Sequence, residues 1–322
     1  MKKTALITGV TGQDGSYLAE FLLEKGYTVV GLVRRSSTNS LERVQHIVKD
    51  IKIEEGDITD LSCLIHVMDK YKPDEVYNLA AQSFVADSFV EPIHTSQVNA
   101  QGALCVLEAV RLVCPDARVY QASTSEMFGK VVESPQHEET HFHPRSPYGV
   151  AKAYAHYMVQ NYRESYDMFA CAGILFNHES PRRGEEFVTR KITKAVAAIK
   201  AGVQDKLFLG NLDAKRDWGF APDFVEAMWL MLQQASPKDY VISTGKSHSV
   251  RDFCNIAFAA AGLYYGDYVE VDPKFFRPAE VDILLGCSRL AKEDMGWEPS
   301  TSFEEMVTMM VEEDTRILER SI

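Results

Sequence analysis

The chain has 322 residues, 46% hydrophobic and 25% charged, which is ordinary for a globular protein with a large core. A formal net charge of −12 leaves no basic footprint for nucleic acid, and no apolar run reaches membrane-spanning length. Six scattered cysteines lack CxxC or zinc spacing, and Met1-Lys2-Lys3 runs straight into a strand, so reduced thiols in the cytoplasm are expected.

Thr4 to Thr8 reads as a short strand, Gly9-Val10-Thr11-Gly12-Gln13-Asp14-Gly15 as a glycine loop, and Ser16 to Glu24 as a helix stopped by Gly26. Strand, glycine loop and helix form the context of a dinucleotide fingerprint, here spaced G-x-x-G-x-x-G. The next strand, Thr28 to Val33, ends in Arg34-Arg35-Ser36-Ser37, where an NAD site usually presents an acid. Two guanidiniums and two hydroxyls suit a 2′-phosphate and favour NADP; a solvated basic loop is the competing reading.

Strands then alternate with helices: Ile51 to Glu54, Leu61 to Tyr71, Glu75 to Leu79, a helix around Ser96 to Leu112, and Arg118 to Ala122. Asp57, after the third strand, suits an adenine amino group, and small residues follow the fourth at Ala80-Ala81-Gln82-Ser83. This alternation predicts a Rossmann-type, doubly wound parallel sheet in an α/β fold. The fifth strand leads into Ser123-Thr124-Ser125-Glu126, where an extended chain would send Thr124 and Glu126 to the same side. A turn cap and a solvated carboxylate are the bland alternatives for these two.

Pro147 suits the first turn of a helix, which puts Tyr148 and Lys152 one turn apart on one face. A free phenol has a pKa of about 10, and a neighbouring ammonium would favour the phenolate and make Tyr148 a base. An accidental surface pair is the alternative. The loop between, with His137, Glu138, Glu139, His141 and His143, lacks a helix to fix metal geometry, so no metal is expected. Phe169 to Phe176 is a sixth strand, followed by the donor-rich Asn177-His178-Glu179-Ser180-Pro181-Arg182-Arg183-Gly184. Phe187 to Ala201, Asp223 to Ala235, Val250 to Gly262 and Phe303 to Leu318 read as helices. Lys206 to Gly210 and Asp239 to Thr244 read as strands, the second joining the sheet, and Lys215 to Gly219 and Phe276 to Asp282 as loops. The later third is expected to build a smaller, interleaved C-terminal substrate lobe. The expected division is 1–176 with about 212–247 for the dinucleotide, and 177–211 with 248–322 for the substrate.

TGVTGQDG, T-x-E at the fifth strand and Y-x-x-x-K resemble the extended short-chain dehydrogenase/reductase superfamily. Within it, STSEMFG, PRSPYGVAK, GILFNHESPRRGEEFVTRK, LGNLDAKRDWG and FFRPAEVD resemble the GDP-mannose 4,6-dehydratase family, from about Thr4 to the last helix. The resemblance implies catalytic roles for Thr124, Glu126, Tyr148 and Lys152. It implies NADP contacts at Gly9, Thr11, Gly12, Gln13, Asp14, Gly15, Arg34, Arg35, Ser36, Ser37, Asp57, Ile58, Leu79, Ala81, Ser83, Tyr148, Lys152, His178 and Arg183. Nucleotide-sugar contacts fall on Ser83, Asn177, Val188, Lys191, Arg216, Arg277 and Glu280. Departures occur at Phe84 and His94, where some relatives carry His and Tyr, and Asn99 reads as structural. The implied reaction is dehydration of GDP-mannose to GDP-4-keto-6-deoxy-mannose with no net redox change, in a homotetramer or else a dimer. A sugar-nucleotide epimerase or 4-keto reductase, and a non-catalytic NADP-binding regulator, are the rival functions. An acid at Glu126 argues for the dehydratase, because epimerases and reductases do not need one.

Overall fold

The computed structural model describes residues 2–35, 41–275 and 283–320. Six strands come first: β1 (Thr4–Thr8), β2 (Thr28–Val33), β3 (Lys52–Glu55), β4 (Glu75–Asn78), β5 (Arg118–Thr124) and β6 (Ala170–Leu175). Four short strands outside that sheet follow: β7 (Asn177–Glu179), β8 (Leu207–Leu209), β9 (Lys215–Arg216) and β10 (Trp218–Phe220). Then β11 (Tyr240–Ile242) returns to pair with β6, and β12 (His248–Ser249), β13 (Val269–Val271) and β14 (Ile283–Leu284) complete the set. The main sheet has the order β11-β6-β5-β4-β1-β2-β3, and every neighbouring pair is parallel. Its central strands are apolar without alternation, as they must be when helices cover both faces.

The helices are α1 (Gln13–Glu24), α2 (Leu61–Tyr71), α3 (Val85–Val90), α4 (Pro92–Ser96), α5 (Ala103–Val113), α6 (Pro147–Tyr166), α7 (Val188–Lys200), α8 (Ala221–Met231), α9 (Val250–Ala260), α10 (Arg289–Met295) and α11 (Phe303–Glu319). Leu18 and Leu22 of α1 pack with Phe224 and Met228 of α8 in one core cluster. Leu64 and Met68 of α2, Val106 and Val110 of α5 and Val159 of α6 fill the other. A separate core joins Ile192 and Val196 of α7, Phe253 and Phe258 of α9 and Met306 and Met310 of α11, so the methionine stripe is packing. Chain order reverses between β1 and β4, and a crevice opens beyond the carboxyl ends of those strands, where ligands bind in such sheets.

Three local readings are corrected. The helix expected over 96–112 is α4 and α5 joined by a π-helical turn, Gln97–Gly102. There Asn99 accepts from the Gln82 N–H and donates to the Gln82 carbonyl, both at 2.8 Å, so its role is structural. Lys215 to Gly219 is not a loop: β9 pairs with β12 and β14, and β10 with β7. Those partners are distant in sequence, so no local pattern announces them. Finally, β5 ends at Thr124, and Glu126 sits in a 3₁₀ turn whose N–H at 126 bonds to Thr124 Oγ1 at 3.3 Å.

Candidate active site

The glycine loop leaves no room for side chains. Gly9 has φ +70°, and a Cβ there would stand 2.9 Å from the Ala80 backbone. One at Gly15 would lie 2.2 Å from the Gly9 carbonyl, so α1 passes against the loop as a dinucleotide cradle requires. Gly12 forms the N-cap of α1, and the first-turn N–H groups face an anion-binding position. The cleft beside this loop is lined by Gly9, Thr11, Gly12, Gln13, Asp14, Gly15, Arg34, Asp57, Ile58, Leu79, Ala81, Ser83 and Arg183. Asp57 Oδ1 accepts from the Thr59 N–H (2.9 Å) and hydroxyl (2.7 Å). Burial opposes its charge, but those bonds and Arg34 hold its carboxyl below the usual value. The residues present fit a dinucleotide. Arg35 is exposed and outside the lining set, and Ser36 and Ser37 lie outside the described residues.

A second cleft holds Thr124, Glu126, Tyr148 and Lys152, and it runs into the first through Asp14, Leu79, Ala81, Ser83, Arg183 and Phe187, which line both. Ser146 caps α6 by accepting from the Gly149 N–H at 3.0 Å, and Pro147 opens the helix. That start fixes Tyr148 and Lys152 on the buried face. Lys152 Nζ donates to the Ala122 carbonyl at 2.8 Å and lies 5.9 Å from the Tyr148 ring centroid. Burial lowers the ammonium's pKa to about 8, against the pull of Asp14. Burial likewise pushes the Tyr148 phenol up to about 12; a hydrogen bond with Thr124 opposes this and the Glu126 charge adds to it. The expectation that Lys152 by itself depresses Tyr148 is corrected: desolvation of the phenolate, helped by the Glu126 and Asp14 charges, outweighs the lowering by Thr124 and Arg183.

His178 and Asp14 sit where the clefts meet. His178 Nδ1 faces the Phe176 carbonyl (2.8 Å) and Nε2 faces Asp14 Oδ2 (2.9 Å). A carbonyl and a carboxylate both accept, so this setting favours hydrogen on both nitrogens of the ring. Burial lowers its pKa, but Asp14 outweighs that and raises it; burial likewise opposes the Asp14 charge, yet His178 holds that carboxyl at about 2. Gln13 strengthens the junction, donating to the His178 carbonyl (3.1 Å) and accepting from Ser180 Oγ (2.8 Å). Arg183 stacks on Phe187 at 3.6 Å, with Nε 3.1 Å from Glu179 Oε2.

Asn177, Val188 and Arg216 also line the second cleft. Lys191 is outside that lining: its Nζ donates to the Phe208 carbonyl (2.7 Å) and lies 3.8 Å from the ring of Phe275, which does line it. Arg277 and Glu280 lie outside the described residues. Phe84 lines the second cleft and meets Phe187 edge-on at 5.6 Å, and His94 lines the first. Sequence reasoning missed Arg43, which lines the dinucleotide cleft from outside any recognised motif, and gave no role to Glu186, which lines it from within the GILFNHESPRRGEEFVTRK stretch. Among the described residues no group of three His, Cys, Asp or Glu side chains is arranged to hold a metal ion.

Residues 6–310 match the family model described as GDP-mannose 4,6 dehydratase. The chain is 57% identical to GDP-mannose 4,6 dehydratase 2 of Arabidopsis thaliana, covering 99% of this chain and 88% of that protein. It is 51% identical to GDP-mannose 4,6-dehydratase of Vibrio cholerae, with 99% and 96% covered. Among solved structures, UDP-glucose 4-epimerase of Thermotoga maritima, with UDP-glucose, gives a TM-score of 0.88 at 26% identity over 98% of this chain and 99% of that one. The dTDP-glucose 4,6-dehydratase of Bacillus anthracis, at 0.86 and 22% identity over 98% of both chains, shares the fold. Sequence identity over nearly the full length, on a sheet that brings Thr124, Glu126, Tyr148 and Lys152 to one cleft, settles the assignment: the chain belongs to the GDP-mannose 4,6-dehydratase family.

Proposed function

We propose that this protein removes water from GDP-mannose to give GDP-4-keto-6-deoxy-mannose, using NADP held in the glycine-loop cleft. The observation that carries this reading is the convergence of Thr124, Glu126, Tyr148 and Lys152 on one cleft continuous with that loop. Bound NADP supplies a hydride acceptor that later returns the hydride, and its positive nicotinamide adds the charge that favours a Tyr148 phenolate. Tyr148 takes the proton of the sugar 4-hydroxyl, and Thr124, hydrogen-bonded to the phenol, positions that oxygen. Lys152 adds its charge to that of the nicotinamide, and the two together offset the desolvation that otherwise keeps the phenol protonated. The 4-ketone acidifies C5, where Glu126 removes the proton and then gives it to the hydroxyl leaving C6 as water. When the hydride returns to C6, C5 is reprotonated by the proton that Tyr148 took from the 4-hydroxyl, which restores the phenolate.

Asn177, Val188 and Arg216 hold the nucleotide sugar, with Arg216 toward the diphosphate and Lys191 acting at the rim beside Phe275. Arg277 and Glu280 complete that set, and Ser36 and Ser37 complete the 2′-phosphate loop. The dinucleotide part is 1–176 with about 212–247; the separate α7, α9 and α11 core supports the remainder as the substrate lobe. The assembly is a homotetramer whose subunits meet on the Arg34 side of the cleft. A reducing, cytoplasmic setting fits the six free thiols.

The test is a panel of nucleotide sugars offered to the purified protein with mass spectrometry of the products. Loss of one water from GDP-mannose is expected. Epimerisation or reduction without that loss overturns the reading, as does light scattering of a monomer near 36.2 kDa for the assembly.

A further inference from the structure

We propose that Arg43, outside every recognised motif, reads the 2′-phosphate of NADP together with Arg34. The inference rests on the NADP reading above. Arg43 lies in the 3₁₀ turn Glu42–Ile47 and lines the glycine-loop cleft. Its Nε donates to the Arg182 carbonyl at 2.8 Å, and Nη1 reaches the Thr11 carbonyl at 3.4 Å. The anchor is itself held, because the Arg182 N–H bonds to Ser180 Oγ at 3.0 Å and Ser180 Oγ donates to Gln13 Oε1. A guanidinium has five N–H donors, so the two carbonyl contacts among the described residues leave three for a ligand. Two carbonyls leave the positive charge unmatched, and among the described residues no carboxylate forms an ion pair with it. Glu185, whose charge it also steadies, is engaged by Lys194 at 2.5 Å.

Position supplies the rest of the argument. In a doubly wound sheet the adenosine ribose lies between the end of β2 and the glycine loop. Arg34 closes the β2 side of the cleft, close enough to Asp57 to steady its carboxylate, and Arg43 stands at Thr11 on the loop side. The two cations flank the place where NADP and NAD differ. A pre-anchored guanidinium loses little side-chain freedom on binding, which favours a dianionic phosphate over a hydroxyl. The competing role is a strut between the glycine loop and the Pro181–Arg183 turn, and it affects both dinucleotides alike.

The experiment uses Arg43→Gln, Arg43→Lys and Arg34→Ala, with folding checked by circular dichroism. The dinucleotide released from each purified protein is identified, and affinities for 2′,5′-ADP and 5′-ADP are measured by calorimetry. Loss of one charge-assisted contact should weaken 2′,5′-ADP about 10- to 100-fold in Arg43→Gln, leave 5′-ADP within about twofold, and shift the released pool toward NAD. Arg43→Lys should keep most of the preference. Equal weakening of both ligands makes Arg43 a strut and overturns the proposal, as does an unchanged ratio in Arg43→Gln beside a lost ratio in Arg34→Ala. A parent protein that releases NAD and does not prefer 2′,5′-ADP fails the NADP reading itself, a result distinct from either.

Discussion

Two buried cations divide the molecule between chemistry and scaffold. Arg190 and Lys152 are 8% and 4% exposed. Arg190 Nε lies 2.9 Å from both oxygens of Asp314, Nη2 lies 2.6 Å from one of them, and Nη1 donates to the Pro181 and Arg183 carbonyls. Thr193 Oγ1 donates to the same Asp314 at 2.6 Å. Lys152 donates to one carbonyl. Matched charge ties α7, α11 and the Pro181–Arg183 turn together. Unmatched charge in the cleft is costly to the fold, and its reward is an ammonium whose pKa falls to about 8. The comparison teaches that burial alone does not mark a functional ion; the missing counter-charge does.

The largest effect belongs to the chemical side. Tyr148→Phe should lower dehydration by about 10⁴-fold, the upper range for a positioned acid–base group, and also abolish the absorbance of reduced nicotinamide in a single turnover. Wild-type accumulation of that signal would remove Tyr148 from the first step. Glu126→Gln should cost about 10²–10⁴-fold in turnover while sparing oxidation at C4, so the same absorbance should build up before it decays. Dehydration at the parent rate would exclude Glu126 as the C5 base.

On the scaffold side the loss is one of stability. Asp314→Ala leaves Arg190 buried without its partner and should cost about 3–5 kcal/mol, read from the shift in urea midpoint. A midpoint equal to the parent's would show that the α7–α11 tie is dispensable. The smallest effect has the opposite sign. Lys152→Met removes a charge whose pKa falls from 10.5 to about 8 in the fold, so it should raise stability at pH 7 by up to about 3 kcal/mol while abolishing turnover. Because the folded pKa lies below the unfolded one, the native state releases its proton first and the parent gains stability as pH rises from about 8 to 10.5. The variant's advantage should therefore shrink across that window. A Met variant less stable than the parent at pH 7 would contradict the comparison.

The sequence legibly carried whatever was local. Pro147 and the four-residue spacing placed Tyr148 and Lys152 on one face, and the alternation of apolar runs with helical stretches produced β1 to β6 in order. Long-range partners were not legible. Nothing around Lys215 signals that β9 pairs with β12 and β14, and nothing around Asp14 signals an ion pair with His178, 164 positions away. The Tyr148 pKa failed for a related reason: charge neighbours can be read at helical spacing, but desolvation depends on everything packed above them. Arg43 was missed because a single arginine in a polar stretch has no pattern to betray it.

The return of the chain at β11 has a consequence for synthesis on the ribosome. β6 is buried at every position, yet one of its edges is covered only when β11 arrives, about 65 residues later. At roughly 5–20 residues per second, that edge waits roughly 3–13 s on the nascent chain, longer while the exit tunnel still holds the missing strand. An apolar strand with open N–H and C=O groups is a template for pairing with the wrong chain. Neighbouring nascent chains on one message are the nearest source of such a partner. Slow codons read while β6 is outside the tunnel and β11 has not yet left it should therefore lower the yield of native protein, whereas the same codons read after β11 has cleared the tunnel should leave it unchanged.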